Sequence, residues 1–249
     1  MPAPARRIEL VLRIDGEPLR VSAPQPPARA RLDELLPAMQ AIDNSAIDHA
    51  VRKAEATGKR VTCTKGCSAC CRAQPVPVTP PEAHALLLLV EAMPAPRRRE
   101  IEARFADRAA RLREAGLADA FLHREPDLTA DGARSLARDY FALGLVCPFL
   151  QDDACSIHPW RPFVCRQYLV TSDPALCVDP FENAVDVVPM PVQAATAMLS
   201  AASAAIATPQ HTVPLVLALE YARLHRDALR QRVDAEPAFR HWLRSLAGE

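Results

Sequence analysis

Between positions 8 and 14 the apolar residues Ile8, Leu10, Leu12 and Ile14 alternate with Glu9, Val11 and Arg13, and Asp15-Gly16-Glu17-Pro18 then precedes a second alternating run to position 23. Alternation, turn chemistry and renewed alternation predict a β-hairpin. The Pro-rich piece from Pro24 to Pro27 separates it from a different period. Leu32, Leu35, Leu36, Met39, Ile42, Ile47, Val51 and Ala54 recur at helical spacing up to Gly58, with Pro37 either kinking that helix or marking its first turn.

Helical patterns dominate the remainder of the chain. Thr79, two prolines and Glu82 form a helix-start signal ahead of an apolar run, which predicts a helix over 81–93 that Pro94 and Pro96 break. An amphipathic helix is predicted over 97–115, with Ile101, Phe105, Ala109 and Leu112 on one side. Another covers 133–145 and carries Leu136, Tyr140 and Leu143. Three more close the chain, over 192–207, over 214–233 with Thr212 as cap, and over 237–246.

The expected fold class is therefore mainly α: a single α-helical domain with a small N-terminal β-hairpin and a cysteine-lined metal site in loop and helix segments. The expected layout is a hairpin and Pro-rich linker over 1–30, a cysteine-cluster metal-binding domain over 31–180, and C-terminal helices over 181–249 packed on the same domain.

Composition narrows the function classes. A chain of 249 residues with 49% hydrophobic content can bury a core, and its 30 basic and 30 acidic side chains cancel. No net field draws in nucleic acid or an anionic membrane, so neither is an expected partner. The N-terminus alternates apolar and charged residues instead of building the apolar stretch of a secretory signal, and the Ala-rich stretch 192–207 is too short and too weakly hydrophobic to span a bilayer. A cytoplasmic location is expected, with a protein partner left undefined.

In a reducing compartment eight cysteines read as metal ligands rather than as four disulfides. Cys63, Cys67, Cys70 and Cys71 fall in the run CTKGCSACC, and Cys147, Cys155, Cys165 and Cys177 lie downstream. Soft thiolates at such spacings converge on an ion or cluster without the chain having to travel. If the first run is helical, Cys63, Cys67 and Cys70 or Cys71 share a face, whereas Gly66 permits a loop that wraps an ion. Cys70 and Cys71 diverge as neighbours, so they serve separate metals or one faces the core. Downstream, Gln151-Asp152-Asp153-Ala154 has turn composition that folds Cys155 back toward Cys147, and Pro162 fits the first turn of a short helix holding Cys165. A thioredoxin-like reading of Cys67-x-x-Cys70 lacks its βαβ context.

The ordered motifs C-x3-C-x2-C-C, P-V-x-V-T-x-x-E-A, C-P-F-L, C-S-I-H and R-P-x-x-C-R-x-Y, over about 63–168, resemble the YkgJ-type cysteine-cluster family of zinc- or iron-chelating domains. Members with a CSIY motif have tyrosine where this chain has His158. The resemblance implies metal chelation through Cys63, Cys67, Cys70, Cys71, Cys147, Cys155 and Cys165; Cys177 lies outside the motif and brings the thiol count to eight. A related group sharing this kind of cluster includes flagellin lysine-N-methylases, for which an iron–sulfur centre is the natural expectation, yet the chain has no Gly-rich turn for an adenosyl cofactor. The favoured cofactor is an iron–sulfur cluster supporting redox or enzymatic chemistry, and the alternative is zinc in a structural interaction module. Arg161 and Arg166, beside the thiols, are candidates to offset their charge.

Overall fold

The computed structural model describes residues 6–123, 129–209 and 211–248. The first five residues of the N-terminal reading lie outside the described residues. Helix accounts for 56% of the chain, in 11 helices among the described residues, so the mainly α expectation holds.

The hairpin forms where the alternation placed it. Strands β1 (Arg7–Ile14) and β2 (Glu17–Pro24) pair antiparallel with Ile14 opposite Glu17. Asp15 and Gly16 both take positive φ, 51° and 80°, the two-residue turn whose twist matches the strands. Ile14, Val21 and Ala23 face inward, and β2 packs on the first helix.

The two-residue strand β3 (Arg29–Ala30) and a 3-10 turn (Leu32–Leu35) lead into α1 (Leu36–Ala56). Pro37 sits in its first turn, where the missing N–H costs nothing, so it starts the helix and does not kink it. Next come α2 (Ala69–Ala73), β4 (Pro77–Val78) and α3 (Pro80–Glu91). In α4 (Ala95–Glu114) Pro96 lies within the first turn instead of between helices, and Ile101, Phe105, Ala109 and Leu112 are buried as the periodicity predicts. A short α5 (Ala118–Leu122) precedes α6 (Ala130–Ala142), which starts three residues before the predicted point because Thr129 caps it, accepting from the Gly132 N–H at 3.1 Å.

The second cysteine segment holds a tight hairpin, β5 (Leu150–Gln151) with β6 (Ala154–Cys155), a 3-10 turn (His158–Trp160), α7 (Phe163–Gln167) and another 3-10 turn (Pro174–Val178). Beyond it lie α8 (Ala194–Ala205) and β7 (Val213–Pro214). The single helix predicted over 214–233 is a correction. That stretch divides into a 3-10 turn (Leu215–Leu217), α9 (Ala218–Leu224), α10 (Arg226–Leu229) and β8 (Val233–Asp234). Pro214 belongs to a strand pair with β4, the Leu215 N–H donates to Val76 O at 2.8 Å, and β8 pairs with β3, so tertiary backbone bonds displace the helix at both ends. Thr212 accordingly does not cap a helix. The chain closes with α11 (Ala235–Ala247), ended by Gly248 at φ 79°.

One apolar cluster joins hairpin, α1, α3, α4 and the last helices. Within it α8 packs on α11 and α9 on α3. Trp242 of α11 is wholly buried, donates from its indole to Ala194 O at 3.2 Å, and stacks on Phe163 with centroids 6.3 Å apart. Phe163 opens α7, so the C-terminal helix buttresses the short helix that carries Cys165.

Candidate metal centre

Three segments bring the eight free cysteines around α2. The first is extended: the Thr62 N–H donates to Val170 O at 3.0 Å, its hydroxyl donates to Ser172 O at 2.6 Å, and the Cys63 sulfur accepts the Val170 N–H at 3.4 Å. Gly66, at φ 94°, turns the chain, and the Cys67 N–H closes that turn on Thr64 O at 3.0 Å. The loop reading of CTKGCSACC holds for Cys63 and Cys67, and only Cys70 and Cys71 lie on a helix, α2, so the single helical face running through Cys63 and Cys67 does not form. Replacing Gly66 by alanine is expected to cost about 1–2 kcal/mol through the left-handed backbone alone, read as a lower thermal midpoint, since its Cβ would meet open space.

The second segment docks on α2 directly, the Cys147 N–H donating to Cys71 O at 2.7 Å. Asp152 and Asp153 occupy the β5–β6 turn at φ 48° and 55°, and the register sets Cys155 opposite Leu150, whose N–H bonds Cys147 O at 3.0 Å. The predicted fold-back of Cys155 toward Cys147 is what forms. Asp153 also reaches across, accepting from the Ser68 hydroxyl at 2.8 Å and from Arg72, and the Ser68 bond first and then Arg72 hold its carboxyl below the ordinary carboxylate range. The third segment supplies Cys165 from α7 and Cys177 from the 3-10 turn that packs on α2.

Electrostatics reflect the gathering. The Cys70 thiol is raised first by its hydrogen bond with the Cys71 thiol and then by burial. Burial pushes Cys147 up to about 12, and Cys155 and Cys70 add to it. Cys165 is raised by burial, then by Cys147, Cys70 and Cys155. Cys63 is raised by burial, with Cys67 and Cys70 adding and Arg161 opposing; Cys155 is raised by burial and likewise opposed by Arg161. Cys177, 4% exposed, is raised by burial, then by Cys63, Cys70 and Cys67. Among the described residues no three His, Cys, Asp or Glu side chains are drawn together tightly enough to hold an ion as they stand. The donor chemistry, soft sulfur from three chain segments packed around one helix, nonetheless fits a thiolate-bound metal.

The flanking cations divide their work. Arg161 lies in the field of Cys63 and Cys155, and its buried Nε has no hydrogen-bond partner among the described residues. Arg166 is a fastener: it donates to Arg161 O at 2.9 Å, Asn44 Oδ1 at 3.2 Å, Gln40 Oε1 at 3.2 Å and Pro159 O, tying the 158–161 turn to α1. The charges acting on His158 are Arg161 and Arg166, with burial the largest influence holding its imidazole below the ordinary range.

Sequence reasoning recognises Glu82 only as a helix-start signal. Its Oε2 accepts from the Thr79 N–H at 2.9 Å and the Thr79 hydroxyl at 2.7 Å, while Oε1 accepts from the Phe163 N–H at 2.7 Å. One buried carboxylate therefore caps α3 and also holds the start of the Cys165 helix. The one hint in the sequence is that the capping motif V-x-V-T-x-x-E runs alongside the cysteine motifs.

The eight free thiols thus come from three segments of loops and short helices. Residues 62–184 match the family model described as CxxCxxCC, a putative zinc- or iron-chelating domain, and the chain carries a domain of that cysteine-cluster family. The match extends past the motifs quoted from the sequence and takes in Cys177. No curated protein and no solved structure matches the chain. No helix among the described residues is long and apolar enough to cross a membrane.

Proposed function

We propose that the zinc- or iron-chelating domain of this chain binds iron as an iron–sulfur centre through Cys63, Cys67, Cys70, Cys71, Cys147, Cys155, Cys165 and Cys177, and that the centre serves redox or enzymatic chemistry in the cytoplasm. The observation that carries this reading is the number of free thiols: eight exceed what one structural zinc takes. A thiolate-bound iron–sulfur centre supplies one-electron transfer. The chain's own residues set its surroundings: Arg161 opposes the accumulated negative charge of the thiolates, while Glu82 and Arg166 fix the segments that carry them.

The second reading, closed zinc sites in an interaction module, is favoured by the burial of Cys177, since closed sites keep no open coordination position. Purification of the full chain without oxygen, with a visible spectrum and metal and sulfide analysis, separates the two. Broad absorbance at roughly 400 nm with labile sulfide is the expected result. A colourless protein with stoichiometric zinc would overturn the iron reading and leave the zinc one standing.

A further inference from the structure

We infer that two copies of this chain associate through the free edge of β1, antiparallel about a two-fold axis at Val11. The hairpin that carries this edge lies outside residues 62–184, so the inference is independent of the metal. Its turn fixes which backbone groups are spent. A two-residue turn makes Ile14 and Glu17 a hydrogen-bonded pair, and such pairs alternate with unbonded ones along an antiparallel ladder. Ile8, Leu10, Leu12 and Ile14 therefore turn their N–H and C=O groups to β2, and the bond from the Gln25 N–H to Arg6 O at 2.8 Å extends the same series. Glu9, Val11 and Arg13 turn theirs outward. The sheet ends at β1, and among the described residues no backbone bond outside the hairpin takes these groups up.

The two edges of this sheet differ. On β2 the outward positions are Pro18, Arg20, Ser22 and Pro24, so both ends lack an N–H, and the Arg7 guanidinium already donates to Ser22 O at 2.8 Å. The β1 edge has no proline, and Val11 at its middle is 62% exposed. Charge identifies what pairs with it. The exposed side chains run Glu9, Val11, Arg13, an acid and a base placed symmetrically about an apolar residue. A second copy laid antiparallel with Val11 opposite Val11 sets each Glu9 against Arg13 of the other copy, and every such pair exchanges both of its outward N–H···O bonds. Moving the axis one residue either way opposes like charges: Arg7 meets Arg13 when it lies at Leu10, and Glu9 meets Asp15 when it lies at Leu12. A self-complementary, proline-free edge beside a proline-blunted one selects another copy of the same strand as its partner.

The test is sedimentation equilibrium of the anaerobically purified, reduced full chain across a range of concentrations, with backbone hydrogen exchange measured alongside. The mass is expected to rise with concentration from 27.2 kDa to twice that, and exchange at the amides of Glu9, Val11 and Arg13 to slow as it does. Val11→Pro removes the central outward N–H without touching the bonds to β2, so it is expected to hold the chain at the monomer mass with unchanged far-UV circular dichroism. Glu9→Arg and Arg13→Glu are each expected to weaken association about tenfold, and the double variant to restore it, a rescue that a merely loosened hairpin would not show. A chain that stays monomeric throughout, or a dimer that Val11→Pro leaves unchanged in mass and exchange, would overturn the inference. A dimer that the double variant does not restore would overturn the axis at Val11. None of these outcomes bears on metal binding, which the visible spectrum reads separately.

Discussion

Replacing Glu82 by alanine lowers the unfolding free energy by about 3–5 kcal/mol, because three buried donors lose a shared acceptor at once. Alanine leaves the N–H groups of Thr79 and Phe163 facing an apolar void, and each unsatisfied buried donor costs about 1–3 kcal/mol. Glutamine does not rescue the site. Its amide oxygen can accept from one side, but its NH2 then confronts a donor on the other, so Glu82→Gln is expected to recover only a minor part of the loss. Because the Phe163 N–H begins α7, the damage extends beyond stability: metal retention under chelator competition should also fall, although residue 82 supplies no sulfur. Urea unfolding of both variants checks the first effect, and a chelator titration checks the second. A Glu82→Gln variant as stable as the parent would show that the three hydrogen bonds do not hold the two helices together.

The second large effect concerns Asp43 in α1. This residue is fully buried, its Oδ1 accepts from the Gln167 amide at 2.7 Å, and its Oδ2 has no hydrogen-bond partner among the described residues. Burial, only partly offset by Gln167 and Arg166, raises its pKa from 3.8 to about 7. The unfolded chain therefore ionises Asp43 above pH 3.8 while the fold keeps it protonated up to about 7. Folding takes up a proton in that window, and stability declines as pH rises through it by at most about 1.4 kcal/mol per pH unit, then levels off. The accumulated penalty is roughly 4 kcal/mol above the window. Asp43→Asn removes the titration, and its unpaired NH2 stands where the protonated acid's unpaired O–H stood, so it is expected to match the parent near pH 4 and to gain about 4 kcal/mol at pH 8. Unfolding free energies of both proteins across this range decide it. Parallel pH profiles for parent and variant would mean that Asp43 is already ionised in the fold.

These two carboxylates mark where the sequence stops being legible. Glu82 can be read as a cap because capping is local: Thr79 and Glu82 are three residues apart, and nothing distant is needed. That the same carboxylate accepts from Phe163 depends on the chain returning many residues later, which no spacing encodes. Asp43 sits on the apolar stripe of α1 and is hidden by α7 and the 192 region, through Gln167 and Val192, so only the tertiary fold makes it a buried acid.

The same division runs through the fold. The β1–β2 turn, the apolar stripe of α4 and the fold-back of Cys155 all rest on neighbours in sequence and form where expected, and of the two readings of Pro37 the helix start is the one that forms. The break-up of 214–233 does not, because the pairings of β7 with β4 and β8 with β3 decide it from afar. Arg166 does interact with the thiol beside it, Cys165, as its sequence position implies, but its hydrogen bonds to carbonyls and amides of the 159–161 turn and α1 come from the fold.

The spread of the cysteines along the chain also sets an order in time. Cys63 to Cys71 emerge from the ribosome well before Cys147 to Cys177, and at about 5–20 residues per second the interval is several seconds. During it four thiols, two of them adjacent, stand without the sulfur partners and covering turns that later enclose them. A five-residue α2 does not persist alone, so nothing preorganises these thiols before the downstream segments arrive. The nascent protein is thus at its most open to oxidation and to capture of the wrong metal while still being made, and the packing of the 174–178 turn on α2 reduces that exposure.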